Sequence, residues 1–313
     1  MTQINGQPRI IAMMNQKGGV GKTTSAVSLG AAWAISGQRT LLIDLDPQAH
    51  LTMHLGIDPE QVDLTIYDLV TRHDVSARDV VQKINDQLYV LPGHVNLAGL
   101  DAELAPKMVT GVAQKILKER CGSLIWGTPE AQGGPNEEPF DYVMIDCPPS
   151  LGLATINALI LAQEVIVPMQ PHFLALQGLS KLLETVRLIG QSFNPDLSVS
   201  GILICMHEPQ TLLAQEVISD LASFLTQSQE DGTPWCNAQI LKPVVRRNIK
   251  LAECPSFGKT IFDYEPNCHG ADDYQQLAAA IMAQCPRELL KSSDGKPQVS
   301  VISKPVAQRV HSV

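Results

Sequence analysis

The sequence lacks the features that mark membrane, secreted and disulfide-bonded proteins. No apolar run approaches the roughly 20 residues that a membrane-spanning helix needs, and residues 1–10 have neither the basic start nor the apolar stretch of a signal peptide. The seven cysteines include no CxxC pair and are scattered along the chain, so neither a disulfide framework nor a structural zinc site is expected. The sequence therefore predicts a cytoplasmic protein with no membrane partner.

Basic residues are absent from two long stretches, residues 121–180 and 188–241. The net charge of −9, from 23 basic and 32 acidic residues, argues against a protein that is basic all over. A basic cluster then falls within residues 242–259, where Glu253 is the only acidic residue. The cluster consists of Lys242, Arg246, Arg247, Lys250 and Lys259. It is either an anion-binding surface or an ordinary solvated face with local salt bridges.

Hydrophobic residues make up 44% of the 313-residue chain, which excludes a disordered protein. Short β-branched runs alternate with stretches whose apolar residues recur every three or four positions, as in residues 179–189. The predicted strands are residues 9–14, 40–45, 88–91, 142–145, 164–167 and 199–205. This order predicts an α/β protein, with a doubly wound, mostly parallel sheet and helices on both faces.

We expect one domain over residues 1–286, because doubly wound folds of this length often form a single core. Residues 121–139 are rich in Gly, Pro and Glu without a clear period, which predicts a surface loop insertion or a loop that contacts a partner. The last helix is predicted at residues 271–283, and the composition of residues 287–313 is typical of a flexible tail.

A glycine-rich loop directly follows the first predicted strand and precedes a helical pattern, in the order of a phosphate-binding loop. Its glycines let backbone N–H groups turn toward anionic oxygens, and the helix N-terminus adds its positive dipole end. Lys22 is predicted to bridge the β- and γ-phosphates of ATP, and Thr23 to ligate Mg²⁺. Gln16 occupies the first glycine position of the general motif, so the loop is a variant. The predicted phosphate-binding residues are Lys17, Gly18, Gly19, Val20, Gly21, Lys22, Thr23 and Thr24.

Acidic residues follow two predicted strands at the edge where ligands bind in open α/β sheets. Asp44 and Asp46 lie at the end of the second strand, and Asp146 follows the strand at 142–145. Asp46 is predicted to orient the attacking water and to share the Mg²⁺ shell; the alternative is a turn residue before Pro47. Asp146 has the position of the acid that organises Mg²⁺. The predicted metal-binding residues are Thr23, Asp46 and Asp146.

Three motifs together resemble those of the ParA/Soj family of partition ATPases, in the deviant Walker A group that also includes MinD. They are KGGVGKTT at residues 17–24, LLIDLDPQ at 41–48 and VMIDCPPS at 143–150. The resemblance implies a P-loop NTPase that forms an ATP-dependent sandwich homodimer, in which Lys17 reaches the phosphates bound by the partner. It also implies that Lys17, Lys22 and Asp46 act in catalysis, and that a ParB-like partner stimulates slow ATP hydrolysis.

The same resemblance implies nonspecific binding of double-stranded DNA through the region that RRNIKLAE, residues 246–253, matches. The predicted DNA-binding residues are Arg246, Arg247 and Lys250; Arg246 stands where the family usually has proline. A second family position, often arginine, is Gln210 here, which predicts a weakened or relocated DNA surface. We therefore expect a cytoplasmic, nucleoid-associated ATPase that positions or segregates a chromosome, a plasmid or a protein assembly.

Two other functions compete with this one. A MinD-like membrane-cycling division-site regulator would need a basic amphipathic helix at the C-terminus, and Pro286, Pro297 and Pro305 interrupt that segment. An ATP-driven reductase of the nitrogenase iron protein type would need two cysteines per subunit at an Fe–S cluster. Cys147 lies beside the predicted phosphate site, but no second cysteine occurs before Cys205. The sequence therefore favours DNA partition.

Overall fold

The computed structural model describes residues 7–127, 138–172, 175–227 and 232–284. The tail predicted at residues 287–313 lies outside the described residues, as does most of the predicted surface loop.

Among the described residues, eight strands form one sheet. They are β1 (Arg9–Met13), β2 (Thr40–Asp44), β3 (Gln82–Lys83), β4 (Leu88–Leu91), β5 (Tyr142–Asp146), β6 (Glu164–Met169), β7 (Ser198–Ile204) and β8 (Gln239–Ile240). Their order across the sheet is β3-β4-β2-β5-β1-β6-β7-β8. The pairs are parallel except β3 with β4, which is antiparallel. The predicted mostly parallel sheet is confirmed.

Helices connect the strands and cover the sheet. They are α1 (Lys22–Ile35), α2 (His50–His54), α3 (Ile66–Thr71), α4 (Ala77–Val80), α5 (Leu100–Glu103), α6 (Ala105–Met108), α7 (Val112–Ile125), α8 (Leu153–Leu161), α9 (Ala175–Ser192), α10 (Leu212–Gln227), α11 (Ile249–Glu253), α12 (Ile261–Tyr264) and α13 (His269–Gln284). Short 3₁₀ turns occur at Pro59–Gln61, Val95–Gly99 and Cys254–Phe257.

The core has two layers, one on each face of the sheet. Successive side chains of a strand point to opposite faces, and in β1 Ile10 and Ala12 enter one hydrophobic cluster while Ile11 and Met13 enter the other. Helices α7 to α10 contribute buried side chains to the first cluster, and α1 and α13 contribute to the second. The predicted doubly wound arrangement is therefore confirmed.

The predicted strands are all present, with small differences at their ends. Strands β3 and β8 were not predicted, because each has only two residues at a sheet edge and neither shows a β-branched run. The last helix is longer than its predicted span of residues 271–283 and runs over His269–Gln284.

The predicted surface loop begins later than residue 121. Residues 121–125 form the last part of α7, and Cys121, Leu124 and Ile125 are buried there. Their spacing of three and four continues the apolar face of the preceding turns, whereas the Gly- and Pro-rich composition starts only at Gly127. The first five residues of the expected loop are therefore helical, and three of them belong to the core.

Candidate functional site

The glycine-rich loop spans the gap between β1 and α1, residues 14–21. Gly21 precedes α1 with φ of 92°, and a Cβ added there would lie 3.4 Å from the Sγ of Cys205. The added Cβ would make an ordinary van der Waals contact, so the positive φ is what favours glycine at this position. Val20 is buried, Gly18 and Gly19 are exposed, and Thr23 and Thr24 are half-buried. The predicted phosphate-binding residues therefore form one continuous loop around the start of α1.

The two lysines of this loop take different positions. Lys22 is buried, and its Nζ donates a hydrogen bond to the carbonyl oxygen of Lys17 at 3.2 Å. Its ammonium therefore lies inside the loop. The side chain of Lys17 is exposed and extends to His172, whose Nδ1 lies 3.1 Å from Nζ. Burial and the nearby Lys17 ammonium lower the pKa of His172.

Asn15 holds the loop to the neighbouring strand β6. Its Nδ2 donates to the carbonyl oxygen of Pro168 at 2.7 Å, and its Oδ1 accepts from the backbone N–H of Lys17 at 2.9 Å. Sequence analysis singled out neither Asn15 nor His172. The sequence did contain a pattern that indicates Asn15: an amide side chain, which can both donate and accept hydrogen bonds, directly follows the predicted buried strand.

Thr23, which is half-buried, contacts the buried Asp146 at the start of α1. The Thr23 hydroxyl donates to Oδ2 of Asp146 at 2.7 Å, and Asp146 is fully buried. Its Oδ1 is also buried and has no hydrogen-bond partner within the described part of the chain. Burial, and then the charge of Asp44, raise the pKa of Asp146 well above its usual range. A buried carboxylate oxygen without a partner, beside a hydroxyl, fits a hard cation such as Mg²⁺.

Asp44 and Asp46 differ in burial and in hydrogen-bond partners, although Asp44 ends strand β2 and Asp46 lies two residues later. Asp44 is fully buried; its Oδ2 accepts from the N–H and hydroxyl of Thr52 at 2.9 and 2.7 Å. Burial raises the pKa of Asp44 to about 6. Asp46 lies beyond the strand end, is half-buried, and accepts from the backbone N–H of Gln48 at 3.0 Å. Asp46 is therefore the more accessible of the two carboxylates.

The basic cluster meets more acidic groups than the sequence suggested, because they arrive from distant parts of the chain. Arg246 donates through Nε and Nη2 to Asp273, at 3.0 and 2.6 Å, and its backbone N–H also donates to that carboxylate. Arg247 pairs with Glu208 at 2.7 Å, and Lys250 pairs with Glu253 at 2.9 Å. The three predicted DNA-binding residues therefore all have acidic partners in this structure.

Two observations bear on the competing functions. Within residues 7–127, 138–172, 175–227 and 232–284, no helix has the length and apolar character needed to cross a membrane. Cys147 is fully buried beside Asp146, and burial raises the pKa of its thiol. A protonated, inaccessible thiol fits a packing role.

Comparisons with known proteins extend the likeness beyond the phosphate loop. A family model described as an AAA domain matches residues 8–199. The chain is 38% identical over 276 residues to the sporulation initiation inhibitor protein Soj of Bacillus subtilis, covering 88% of this chain and 98% of Soj. It is 36% identical over 275 residues to the chromosome partitioning protein ParA of Myxococcus xanthus, covering 88% of each.

Among solved structures, the cobyrinic acid a,c-diamide synthase of Mycobacterium smegmatis, with bound ATP analogue and magnesium, superposes with a TM-score of 0.71. The two are 32% identical, and the match covers 88% of this chain and 95% of the synthase. The same fold thus accommodates a nucleotide and magnesium in that relative. Because the matches to Soj and ParA span nearly the whole ATPase domain, the chain belongs to the ParA/Soj family of partition ATPases.

Proposed function

We propose that this protein is an ATP-dependent homodimer that binds double-stranded DNA nonspecifically and positions or segregates a cargo together with a ParB-like partner. The cargo is a chromosome, a plasmid or a protein assembly, and the protein acts in the cytoplasm on the nucleoid. One observation carries the proposal: Lys22 lies buried inside the phosphate loop, whereas Lys17 extends from its rim. A buried lysine serves the nucleotide of its own subunit, and an exposed one is able to reach a second subunit.

The residues of the site support ATP and Mg²⁺ as cofactors. Residues 17–24 would hold the phosphates, and Thr23, Asp46 and Asp146 would hold the metal. When bound, Mg²⁺ neutralises charge that develops on the transferred phosphoryl group. Asp146 offers a buried oxygen without a partner among the described residues, and Asp46 is half-buried at the mouth of the site. Asp46 is therefore suited to orient the attacking water, since it combines a fixed backbone position with access to solvent.

DNA binding falls to Arg247 and Lys250, which we call the basic strip. The side chain of Arg247 is 72% exposed, and that of its partner Glu208 is 47% exposed. Lys250 and its partner Glu253 are each 37% exposed. Exposed ion pairs of this kind contribute little to stability, so a DNA phosphate is able to replace the carboxylate at small cost.

Arg246 has a different role in this proposal. The side chain of Arg246 is 39% exposed, but that of its partner Asp273 is only 4% exposed, so loss of Arg246 would leave a buried carboxylate without its cation. Arg246 therefore keeps its carboxylate and fixes the place of the basic strip. This assignment leaves two phosphate contacts per subunit instead of the three that the sequence suggested.

Light scattering and DNA binding on one preparation test the proposal. We expect dimers with ATP but not with ADP, and binding to duplexes of unrelated sequence with equal affinity only where dimers form. Adding the ParB-like partner should accelerate ATP hydrolysis. A protein that remains monomeric with ATP, or that binds DNA equally with ATP and with ADP, would contradict the proposal. Lys22→Ala, which removes the buried cation of the loop, is the matched negative control.

A further inference from the structure

Residues 246–258, which we call the basic segment, carry the basic strip. This segment packs directly on α2 through a pair of glycines, one on each side of the contact. Gly56 follows α2 with φ of 80°, and Gly258 ends the turn Cys254–Phe257 with φ of 60°. A Cβ on Gly258 would lie 2.7 Å from the Cα of Gly56, and one on Gly56 would lie 3.0 Å from the oxygen of Gly258. The contact is therefore made by backbone against backbone, with no side chain between them to absorb a movement.

A buried contact supports the glycine pair from the adjoining turn. Nε2 of His54, the last residue of α2, lies 3.4 Å from Sγ of Cys254. His54 is 1% exposed and Cys254 is fully buried. Burial lowers the pKa of His54 to about 4, so the imidazole is neutral near pH 7 and packs without a charge. Leu51 of α2 and Leu251 of α11 belong to the same hydrophobic cluster.

Hydrogen bonds also tie α2 and the residue before it to the end of β2, through the backbone of Asp46 and the carboxylate of Asp44. The N–H of Ala49, which precedes α2, donates to the carbonyl oxygen of Asp46 at 2.9 Å. Thr52, in the middle of α2, donates twice to Asp44. A displacement of the Asp46 backbone therefore acts on the start of α2 at Ala49, and a displacement of the Asp44 side chain acts on its middle at Thr52.

The start of the basic segment has a separate anchor. Arg246 is held by Asp273 of α13, and the next residue of that helix, Tyr274, shares a hydrogen bond of 2.7 Å with the Ser25 hydroxyl of α1. Asp273 and Tyr274 are both nearly fully buried. The basic strip thus lies within a segment that is fixed to α13 and α1 at Arg246 and that rests on α2 at Gly258.

We propose that α2 is the element through which the nucleotide site positions the basic strip, and that Gly56 and Gly258 are its point of attachment. The inference rests on the proposed function, since it explains why DNA affinity depends on ATP. A displacement of Asp46 moves α2, and the backbone contact passes that movement to Gly258. The basic segment then turns about its anchor at Arg246 and carries the basic strip with it. A tightly packed contact shifts as a unit because protein interiors have little free volume.

Gly258→Ala tests the attachment directly. The added methyl group collides with the Gly56 backbone, so α2 and the basic segment must separate. Gly37→Ala is the matched control: Gly37 has φ of 81°, and no atom of the described residues lies within 4 Å of an added Cβ, so this variant has a similar backbone strain without that collision. Fluorescence anisotropy gives the Kd for DNA with ATP and with ADP, and light scattering confirms that ATP still produces dimers.

We expect the ATP dimer of Gly258→Ala to bind DNA at least about fivefold more weakly than wild type, the lower end of ordinary allosteric coupling. Affinity with ADP should not change, and Gly37→Ala should match wild type in both states. By reciprocity, DNA should then raise the ATP affinity of Gly258→Ala by a correspondingly smaller factor. An equal loss with ATP and with ADP would show a purely structural contact and overturn the inference, as would no loss at all.

A second variant covers the case in which Gly258→Ala fails to fold, as judged by circular dichroism. Cys254→Ala removes the contact to His54 and leaves both backbones in place. We expect the same selective weakening of DNA binding in the ATP state, and equal or absent effects in the two states would reject the inference. Failure of the proposed function is seen separately, in wild type, as equal DNA affinity with ATP and ADP.

Discussion

Asp146 and Asp273 are both almost completely buried, yet the protein treats the two carboxylates in opposite ways. Asp273 receives the guanidinium and the backbone N–H of Arg246. Asp146 receives the hydroxyl of Thr23 on one oxygen, and its other oxygen has no partner among the described residues. The charge of Asp273 is thus compensated by a paired cation, whereas Asp146 has no such ion pair among the described residues.

The difference indicates that the Arg246–Asp273 pair stabilises the fold, whereas the site around Asp146 is suited to bind a ligand. A buried carboxylate without a cation is costly, and its raised pKa records that cost at Asp146. A bound metal would relieve it. At the basic strip, by contrast, each cation already has a carboxylate, so a DNA phosphate must displace Glu208 or Glu253. We expect the phosphate loop to respond strongly to single substitutions and the strip to respond mainly to changes of charge.

The largest effect is expected at the phosphate loop. Lys22→Ala should abolish ATP binding, because Lys22 is the buried cation of the loop, whereas Lys17→Ala should keep ATP binding and lose the ATP-dependent dimer. Titration with a fluorescent nucleotide measures the first effect and light scattering the second. Normal ATP-dependent dimerisation of Lys17→Ala would contradict the proposal that Lys17 reaches the phosphates bound by the second subunit.

Reversal of charge at the basic strip should abolish DNA binding. With two phosphate contacts per subunit, a dimer makes four, so log Kobs against log salt should have a slope of about −4 in wild type. Arg247→Glu combined with Lys250→Glu should bind no DNA and still form dimers with ATP. A double variant that retains DNA binding with the wild-type slope would place the DNA surface elsewhere, and Gln210 would be the first position to examine.

Asp46→Ala should separate binding from turnover. The phosphate loop and Thr23 remain in this variant, so ATP and the dimer persist, but hydrolysis should fall by about 10²-fold or more through loss of the water-orienting group. Phosphate release measures the rate, and light scattering shows whether the dimer is trapped. Hydrolysis near the wild-type rate would return Asp46 to the role of a turn residue before Pro47.

The contrast between the two regions also explains what the sequence was able to reveal. The fold and the family were predicted, because strands, helices and the phosphate loop are local patterns, and residues 17–24 lie in one stretch. The acid at Asp146 was predicted because a buried strand that ends in an acid is itself a pattern. In each case neighbours in sequence determine the geometry.

Glu253, the partner of Lys250, is close in sequence, but the partners of Arg246, Arg247 and Lys17 were not predictable in this way. Asp273 lies 27 positions from Arg246, Glu208 lies 39 positions from Arg247, and His172 lies 155 positions from Lys17. Nothing local to either partner marks such a pair, and only the crossing of strands and helices brings them together. Residues 242–259 have an excess of positive charge in the sequence because the acidic partners of Arg246 and Arg247 lie outside that range.

Asp44 gives a pH test of the cost of burial near the phosphate site. Burial raises its pKa from the ordinary value of 3.8 to about 6 in the folded protein, so the folded state holds more protons between about pH 4 and 6. The contribution of Asp44 to the free energy of unfolding should therefore fall as pH rises through that window and change no further above it. Thermal unfolding should show this decline in wild type and a weaker one in Asp44→Asn.

Thr52→Val sharpens the same measurement, because the Thr52 hydroxyl favours the ionised form of Asp44. Its removal should raise the pKa of Asp44 and extend the decline in stability to higher pH. Identical pH dependence in wild type, Asp44→Asn and Thr52→Val would show that burial of Asp44 has no measurable electrostatic cost.

The smallest effect is expected where the two members of a complete pair are replaced together. Arg246→Gln combined with Asp273→Asn removes both charges and leaves side chains able to hydrogen-bond, so no buried charge is left uncompensated. If Arg246 only positions the strip, the salt slope of DNA binding should stay near −4, because the number of phosphate contacts is unchanged. If Arg246 contacts phosphate, a dimer loses two contacts and the slope should become shallower by about 2. Gel shifts at a series of salt concentrations distinguish the two results, with Arg247→Gln as the matched single-charge control that should reduce the slope.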